Sequence, residues 1–304
     1  MGGSGGSYDP GQVRSEVRQL EEKIENAEYA ASVAQFLSTV LANANDRNVD
    51  QIQAHLVTIQ QAIEKEVEGF VELLFGGSVA KRTYVFGVSD VDALVLVNES
   101  ELSMGTPLEV RDHIIARLRE RLPNTRVEAD GFAVAVSYND GVVELVPAKR
   151  HGDDYLLPSA DFLTWSRVRP RAFTDALSAA NRDLSGKLIP TIKLAKVALT
   201  EMPEARRPRG YHLEALAIDV FSGYEGPRTP KDMTGYFFSQ AAKRVLRPIA
   251  DRTGQSRNVD DYLGAPMSLE RQIVSDSMGR IARRLQNAEG AQSVDQWKRV
   301  FGEE

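Results

Sequence analysis

Gly76-Gly77-Ser78, with Ser89-Asp90-Val91-Asp92 eleven residues further on, decides how the rest of this 304-residue chain reads. A glycine-serine turn lets backbone N–H groups approach phosphate oxygens, and the helix start behind it adds a favourable partial charge. Two aspartates at i and i+2 on a strand point the same way. Hard carboxylate oxygens in that spacing suit Mg²⁺, and Mg²⁺ beside a triphosphate suits nucleotidyl transfer. The flanks provide a setting: Val71 to Phe75 reads as a strand entering the turn, Val79 to Tyr84 as a short helix beginning at Ser78, and Asp92 to Val97 as a buried strand.

Each part alone has a plainer reading. A glycine-glycine-serine turn is more often structural, Asp90 reads equally as a cap or turn aspartate, and Asp92 as an edge residue. A two-metal site also wants a third carboxylate from a neighbouring strand. Glu144 qualifies, because it is the only acid in the apolar segment Val142-Val-Glu-Leu-Val146. Asp140 competes, but its place in Tyr138-Asn-Asp-Gly141 marks a hairpin turn between strands Phe132 to Tyr138 and Val142 to Val146. The conjunction of turn, paired aspartates and Glu144 is far more specific than any member.

Composition removes several alternatives. The chain has no cysteine, which excludes disulfides, thiolate zinc sites and cysteine nucleophiles. Its four histidines are scattered without metal-binding spacing, leaving carboxylates as metal ligands. A net charge of −6 argues against extended duplex nucleic-acid binding, although not against a local phosphate pocket. No apolar run is long enough to span a membrane, and Met1 to Ser7 reads as a flexible linker or fusion scar, so a cytoplasmic protein without membrane partners is expected.

Three- and four-residue apolar steps from Val13 to Leu41 predict one long amphipathic helix over about Gly11 to Ala44, and Val49 to Glu66 predicts a second. Such helices ahead of a catalytic core read as a brace. Pro107 to Leu122 is a further helix, and Tyr155 to Pro158 closes the β-rich part. Helical periodicity then marks Arg171 to Arg182, Lys187 to Thr200, Leu213 to Tyr224, Lys231 to Asp251 and Leu269 to Leu285. The expectation is an α+β protein of two lobes with a cleft between them: brace helices and catalytic core over residues 8–169, a helical domain over 170–304.

Gly77-Ser78, Thr83, Gly87, Ser89-Asp90-Val91-Asp92 and Glu144-Leu-Val-Pro-Ala148 resemble the polymerase-β-like nucleotidyltransferases. Within that superfamily the likeness is to the bacterial cGAS/DncV-like enzymes (CD-NTases) of CBASS antiphage signalling operons. Trp165 with Pro170, the Lys193/Lys196 helix and Leu213-Glu-Ala-Leu216 look like the same family. The resemblance runs from about Ile52 to Leu285, strongest around the Asp-x-Asp block and looser in the helical half. It implies a catalytic core of mixed sheet and flanking helices. Gly77 and Ser78 would hold the donor's β- and γ-phosphates, and Asp90, Asp92 and Glu144 would be the catalytic, metal-holding acids. The cofactor would be two Mg²⁺ ions, with Mn²⁺ able to substitute. One departure stands out: the family's third acid is usually aspartate, and here it is Glu144.

The family pattern also points to Lys193, and less strongly to Lys196, as nucleotide-binding residues that reach the triphosphate, against the plain reading of solvated helix charges. Arg167, Arg169 and Arg171 alternate and would share one face of an extended segment, lining either the cleft or a solvated edge. Arg206 to Arg209 reads as a surface loop and His212 as a helix-start residue. The function expected is synthesis of a cyclic or short linear oligonucleotide second messenger from nucleoside triphosphates, with regulatory or effector proteins of the same operon as partners. The alternatives are a transferase acting on RNA ends or a small molecule, and a catalytically weakened nucleotide- or RNA-binding regulator.

Overall fold

A computed structural model describes residues 10–46, 49–64, 69–75, 77–85, 91–159 and 161–303. Seven strands form the sheet: β1 (Gly69–Phe75), β2 (Val91–Ser100), β3 (Arg126–Asp130), β4 (Ala133–Tyr138), β5 (Gly141–His151), β6 (Asp154–Pro158) and β7 (Trp165–Val168). Their order is β1-β2-β5-β4-β3, and β6 pairs with the far end of β5 and with β7. β2 and β5 run parallel, whereas every other pairing is antiparallel.

Alternation along β2 and β5 sorts the two faces. Ala93, Val95, Val97, Val143 and Leu145 pack against helix α2 (Val49–Glu64) through Leu56, Ile59 and Ile63. The same core includes Val110, Ile114 and Leu118 of α4 (Pro107–Arg121), which starts in a Thr106/Glu109 capping box. On the other face Leu94, Leu96, Val146 and Ala148 meet Leu157 and Val168. The intervening α3 (Gly77–Ala80) is a single turn.

The helical lobe is built from α5 (Pro170–Asp183), α6 (Leu188–Thr200), α7 (Gly210–Val220), α8 (Pro230–Arg244), α9 (Leu269–Gly290) and α10 (Val294–Val300). Its core also takes in Tyr29, Val33, Phe36, Leu37 and Val40 from the second half of α1 (Pro10–Asn45). The brace expected from the periodicity is therefore formed by that half alone. Residues 14–28 of α1 are all exposed.

Several elements depart from the sequence reading: β7 has no counterpart among the expected strands, and the short helix expected over Val79 to Tyr84 is the single turn Gly77–Ala80. The helix expected to run to Asp251 ends at Arg244, because Pro248 lacks an N–H and its ring would clash with the carbonyl of Arg244. Strand β3 carries one buried residue, Val127, and so shows little of the alternation that marks a strand. Helix α10 was not anticipated; Ser293 caps it by accepting from the Gln296 N–H, and Trp297 anchors it in the core. Residues 65–68, including the expected end of the second helix, lie outside the described residues.

Candidate active site

The parallel register sets Asp92 directly beside Glu144. Neighbouring strands lie about 4.8 Å apart, and residues in register share a face, so the two carboxylates issue side by side. The face is that of Leu94 and Val146, opposite the α2/α4 core. Asp90, the third acid expected from the sequence, lies outside the described residues.

The glycine turn closes onto Asp92. The backbone N–H of Ser78 donates to Asp92 Oδ2 at 3.1 Å. Gly77 has φ +44, a conformation that side chains rarely adopt. The carbonyl of Ser78 in turn accepts from the N–H groups of Thr83 and Tyr84 at 2.9 and 3.1 Å. Ser78 Oγ is buried without a hydrogen-bond partner among the described residues. A buried hydroxyl without a partner is rare in folded proteins and marks the turn as unusual.

Behind the turn lies a buried ionic cluster. Glu214, on α7, is almost fully buried at 1% exposure. Its Oε1 accepts from Thr83 Oγ1 at 2.5 Å and from Lys196 Nζ at 3.2 Å, and its Oε2 forms an ion pair with Lys81 Nζ at 2.5 Å. Lys196 also donates to the Thr83 carbonyl at 2.9 Å, and Lys81 Nζ lies 5.2 and 5.0 Å from the ring centroids of Phe173 and Tyr211. Burial pushes the Glu214 carboxyl up, but the Lys81 and Lys196 ammoniums and the Thr83 hydroxyl outweigh it and hold it below the usual range. Asp92 moves the other way: burial raises it, against the opposing pull of the Ser78 N–H and Lys81.

The structure thus brings Gly77, Ser78, Asp92 and Glu144 together, with Lys196 enclosed behind them rather than in the open. Lys193, one helical turn from Lys196, is half-buried and donates to Asn45 Oδ1 at the end of α1. Arg167 pairs with Asp154 at 2.7 Å and Arg171 with Asp153 at 3.3 Å. Arg167 and Arg169 edge a hollow with Thr253 and Gly254 where β7 meets the helical lobe. Asp140 keeps its turn position, with Oδ1 2.9 Å from His55 Nε2, and the His55 ring stacks on Tyr138. His212 sits in the first turn of α7, buried against Tyr262 and Asp260.

Lys81, Thr83 and Glu214 escaped assignment from the sequence. A signal for Glu214 was present: it is the lone acid in Leu213-Glu-Ala-Leu-Ala-Ile218, the criterion that singles out Glu144.

The model of the Second Messenger Oligonucleotide or Dinucleotide Synthetase (SMODS) domain matches residues 29–181. The chain belongs to the SMODS family. A cyclic AMP-AMP-AMP synthase of an Acinetobacter strain is 26% identical to this SMODS chain over 153 residues, which is 49% of this chain and 44% of that protein. The chain therefore aligns with less than half the length of that curated relative. Among solved structures, Escherichia coli MS115-1 CdnC with ATP superposes with a TM-score of 0.63 at 18% identity, over 87% of this chain and 97% of CdnC. The Vibrio cholerae DncV cyclic AMP-GMP synthase, holding a linear intermediate, gives 0.61 at 12% identity, over 96% and 90%. At such identities these two establish a shared fold: mixed sheet, flanking helices and helical lobe.

Proposed function

We propose that this SMODS chain joins nucleoside triphosphates into a cyclic oligonucleotide second messenger, releasing pyrophosphate, as part of antiphage signalling. The observation that carries the reading is the in-register pairing of Asp92 with Glu144 beside the Ser78 turn. Two adjacent half-buried carboxylates offer the hard oxygen donors that Mg²⁺ or Mn²⁺ prefers. The residues present therefore fit a divalent cation, held by Asp92 and Glu144 with Asp90 as third ligand. A bound cation would supply charge neutralisation at the phosphates.

The chain's own residues have separate tasks in this proposal. Ser78 Oγ donates to a donor phosphate oxygen, and Gly77, lacking a side chain, lets backbone and phosphate approach. Lys193 exchanges Asn45 for the triphosphate, while Lys196 supports the turn from behind through Thr83 and Glu214. Glu144 takes the proton of the acceptor ribose hydroxyl and passes it to solvent. The hydroxyl oxygen bonds to the α-phosphorus as the bond to the β-phosphate oxygen breaks, and pyrophosphate leaves. A second round between the chain's ends closes the ring. Protein partners that regulate the synthase are also proposed, since E. coli CdnC has been solved in complex with a HORMA protein.

The test is incubation with all four nucleoside triphosphates and Mg²⁺, without added acceptor, followed by phosphatase treatment and mass spectrometry. A phosphatase-resistant oligonucleotide, absent with Asp92→Ala, is expected. Product that forms only when RNA or a small-molecule acceptor is supplied would replace this reading with the corresponding transferase.

A further inference from the structure

Helix α1 is 36 residues long, yet the body of the protein covers only its second half. The hold begins where Asn26 accepts from Gln292 and Trp297 Nε1 donates to the Tyr29 hydroxyl at 2.9 Å. Before that point every residue from 14 to 25 is exposed. Val17, Leu20 and Ile24 are 50%, 60% and 50% exposed, among the largest apolar exposures in the protein. Their spacing of three and four residues, continued by Ala27 and in sequence by Val13, is a heptad seam with Val17 and Ile24 at a and Leu20 at d. An unsupported helix of this length is marginal in water, and an exposed apolar seam marks an interaction surface.

The charges beside the seam select the occupant. Arg14 and Glu21 take e positions and Glu16 and Lys23 take g positions. In an antiparallel pair that layers Val17 on Leu20 of a second copy, Glu16 meets Lys23 across one flank and Arg14 meets Glu21 across the other. Two-fold symmetry repeats both pairs, so all four contacts join opposite charges. A parallel pair would bring Glu16 against Glu21 twice, offsetting its two Lys23–Glu28 contacts, whereas the antiparallel pair makes no like-charge contact. Sliding the antiparallel pair by one heptad would oppose Lys23 to Lys23 and Glu21 to Glu21. An Arg18–Glu22 ion pair, at 3.4 Å, lies at b and f positions away from the seam.

We infer that residues 13–24 of α1 pair antiparallel with the same segment of a second copy of this chain, making a two-fold dimer through its projecting helices. Bodies that begin near residue 26 then start about 22 Å apart along the axis of the pair, from the helical rise. The seam is short, so the dimer is reversible and concentration-dependent.

Sedimentation equilibrium of the full chain from about 5 to about 200 µM reads the association, a range suited to a small interface. A monomer–dimer equilibrium is expected for the wild type and monomer throughout for Leu20→Lys, at unchanged helicity. Glu16→Lys and Lys23→Glu should each weaken association by about tenfold or more, and the double charge swap should restore it. Because the chain has no cysteine, one introduced residue carries a unique spin label. Labels at Gln19→Cys should lie close across the pair, whereas labels at Glu28→Cys should sit about 28 Å apart along the axis, from the helical rise. A chain monomeric at every concentration, a dimer indifferent to Leu20→Lys, a swap without rescue, or short distances at both labels would overturn the inference. So would a monomer whose seam instead binds lipid vesicles.

Discussion

The carboxylate of Asp92 occupies the space that a side chain at Gly77 would need: a Cβ built on Gly77 falls 1.6 Å from Asp92 Oδ2. Only glycine lets the turn and strand β2 approach this closely. Gly77→Ala should therefore displace either the turn or the carboxylate. Strain at φ +44 costs about 1 to 2 kcal/mol, but a displacement of the order of 1 Å at the chemistry costs about 100-fold in rate. Pyrophosphate release should fall by at least that factor while thermal unfolding shifts by only a few degrees. Activity within a few-fold of wild type would show that the turn can move without harm.

Asp92 carries a carboxylate in a buried setting. Burial raises its carboxyl, so the charged form is held at a cost in the absence of a counter-ion. Asp92→Asn keeps an acceptor for the Ser78 N–H and should raise the melting temperature of the metal-free protein while abolishing synthesis. Mg²⁺ should stabilise the wild type, because it binds only the folded state, and should leave the variant unmoved. An equal Mg²⁺-dependent shift in both proteins would remove Asp92 from the cation site. EDTA should stop the wild-type reaction, and Mn²⁺ should restore it.

Glu214 balances two ammonium groups inside the protein. Glu214→Gln retains an acceptor for Thr83 but leaves Lys81 and Lys196 without their counter-charge, at a cost of about 3 to 5 kcal/mol. Its folded pKa is depressed, so its contribution is present above the ordinary glutamate value and is lost as pH falls from that value through the lower folded one. Denaturant titrations of Glu214→Gln, Lys81→Met and the double variant measure the coupling; the double change should cost less than the two separate changes together. Additive losses would mean that the lysine and the glutamate act independently.

His212 makes the folded state sensitive to acid. Burial, joined by the charges of Arg271 and Arg244 and opposed by Asp260, lowers it from 6.5 to about 4. Between those values the unfolded chain binds a proton that the folded chain refuses, so stability declines as pH drops from 6.5 towards 4 and this contribution then levels off. His212→Asn should lose less stability than wild type across that window, measured by urea midpoints at fixed ionic strength. Parallel curves would assign the acid sensitivity to other groups.

Much of this was legible in the chain itself. The glycine turn, the strand of Asp92 and the strand of Glu144 were readable because a lone acid in an apolar β segment demands a reason. Elements whose signal depends on context were not: β3 buries one residue, and the break after Arg244 rests on a proline four positions on. Glu214 shows the limit most clearly. Its two ammonium partners come from residues 133 and 18 positions away, and no local pattern links Lys81 and Lys196 to one carboxylate.

By itself, the sequence determined which groups are available: the glycines of the turn, acids set in apolar strand segments, no thiols, and apolar three- and four-residue steps along α1. Those follow from residue chemistry and short-range periodicity, which act before the chain is packed. The tertiary structure alone decided the rest. It placed Asp92 in register with Glu144 through a parallel pairing, sealed Lys196 behind the turn, sent Lys193 to Asn45, and covered only half of α1. Each of these depends on which distant segments exclude water together, and that is a property of the packed chain.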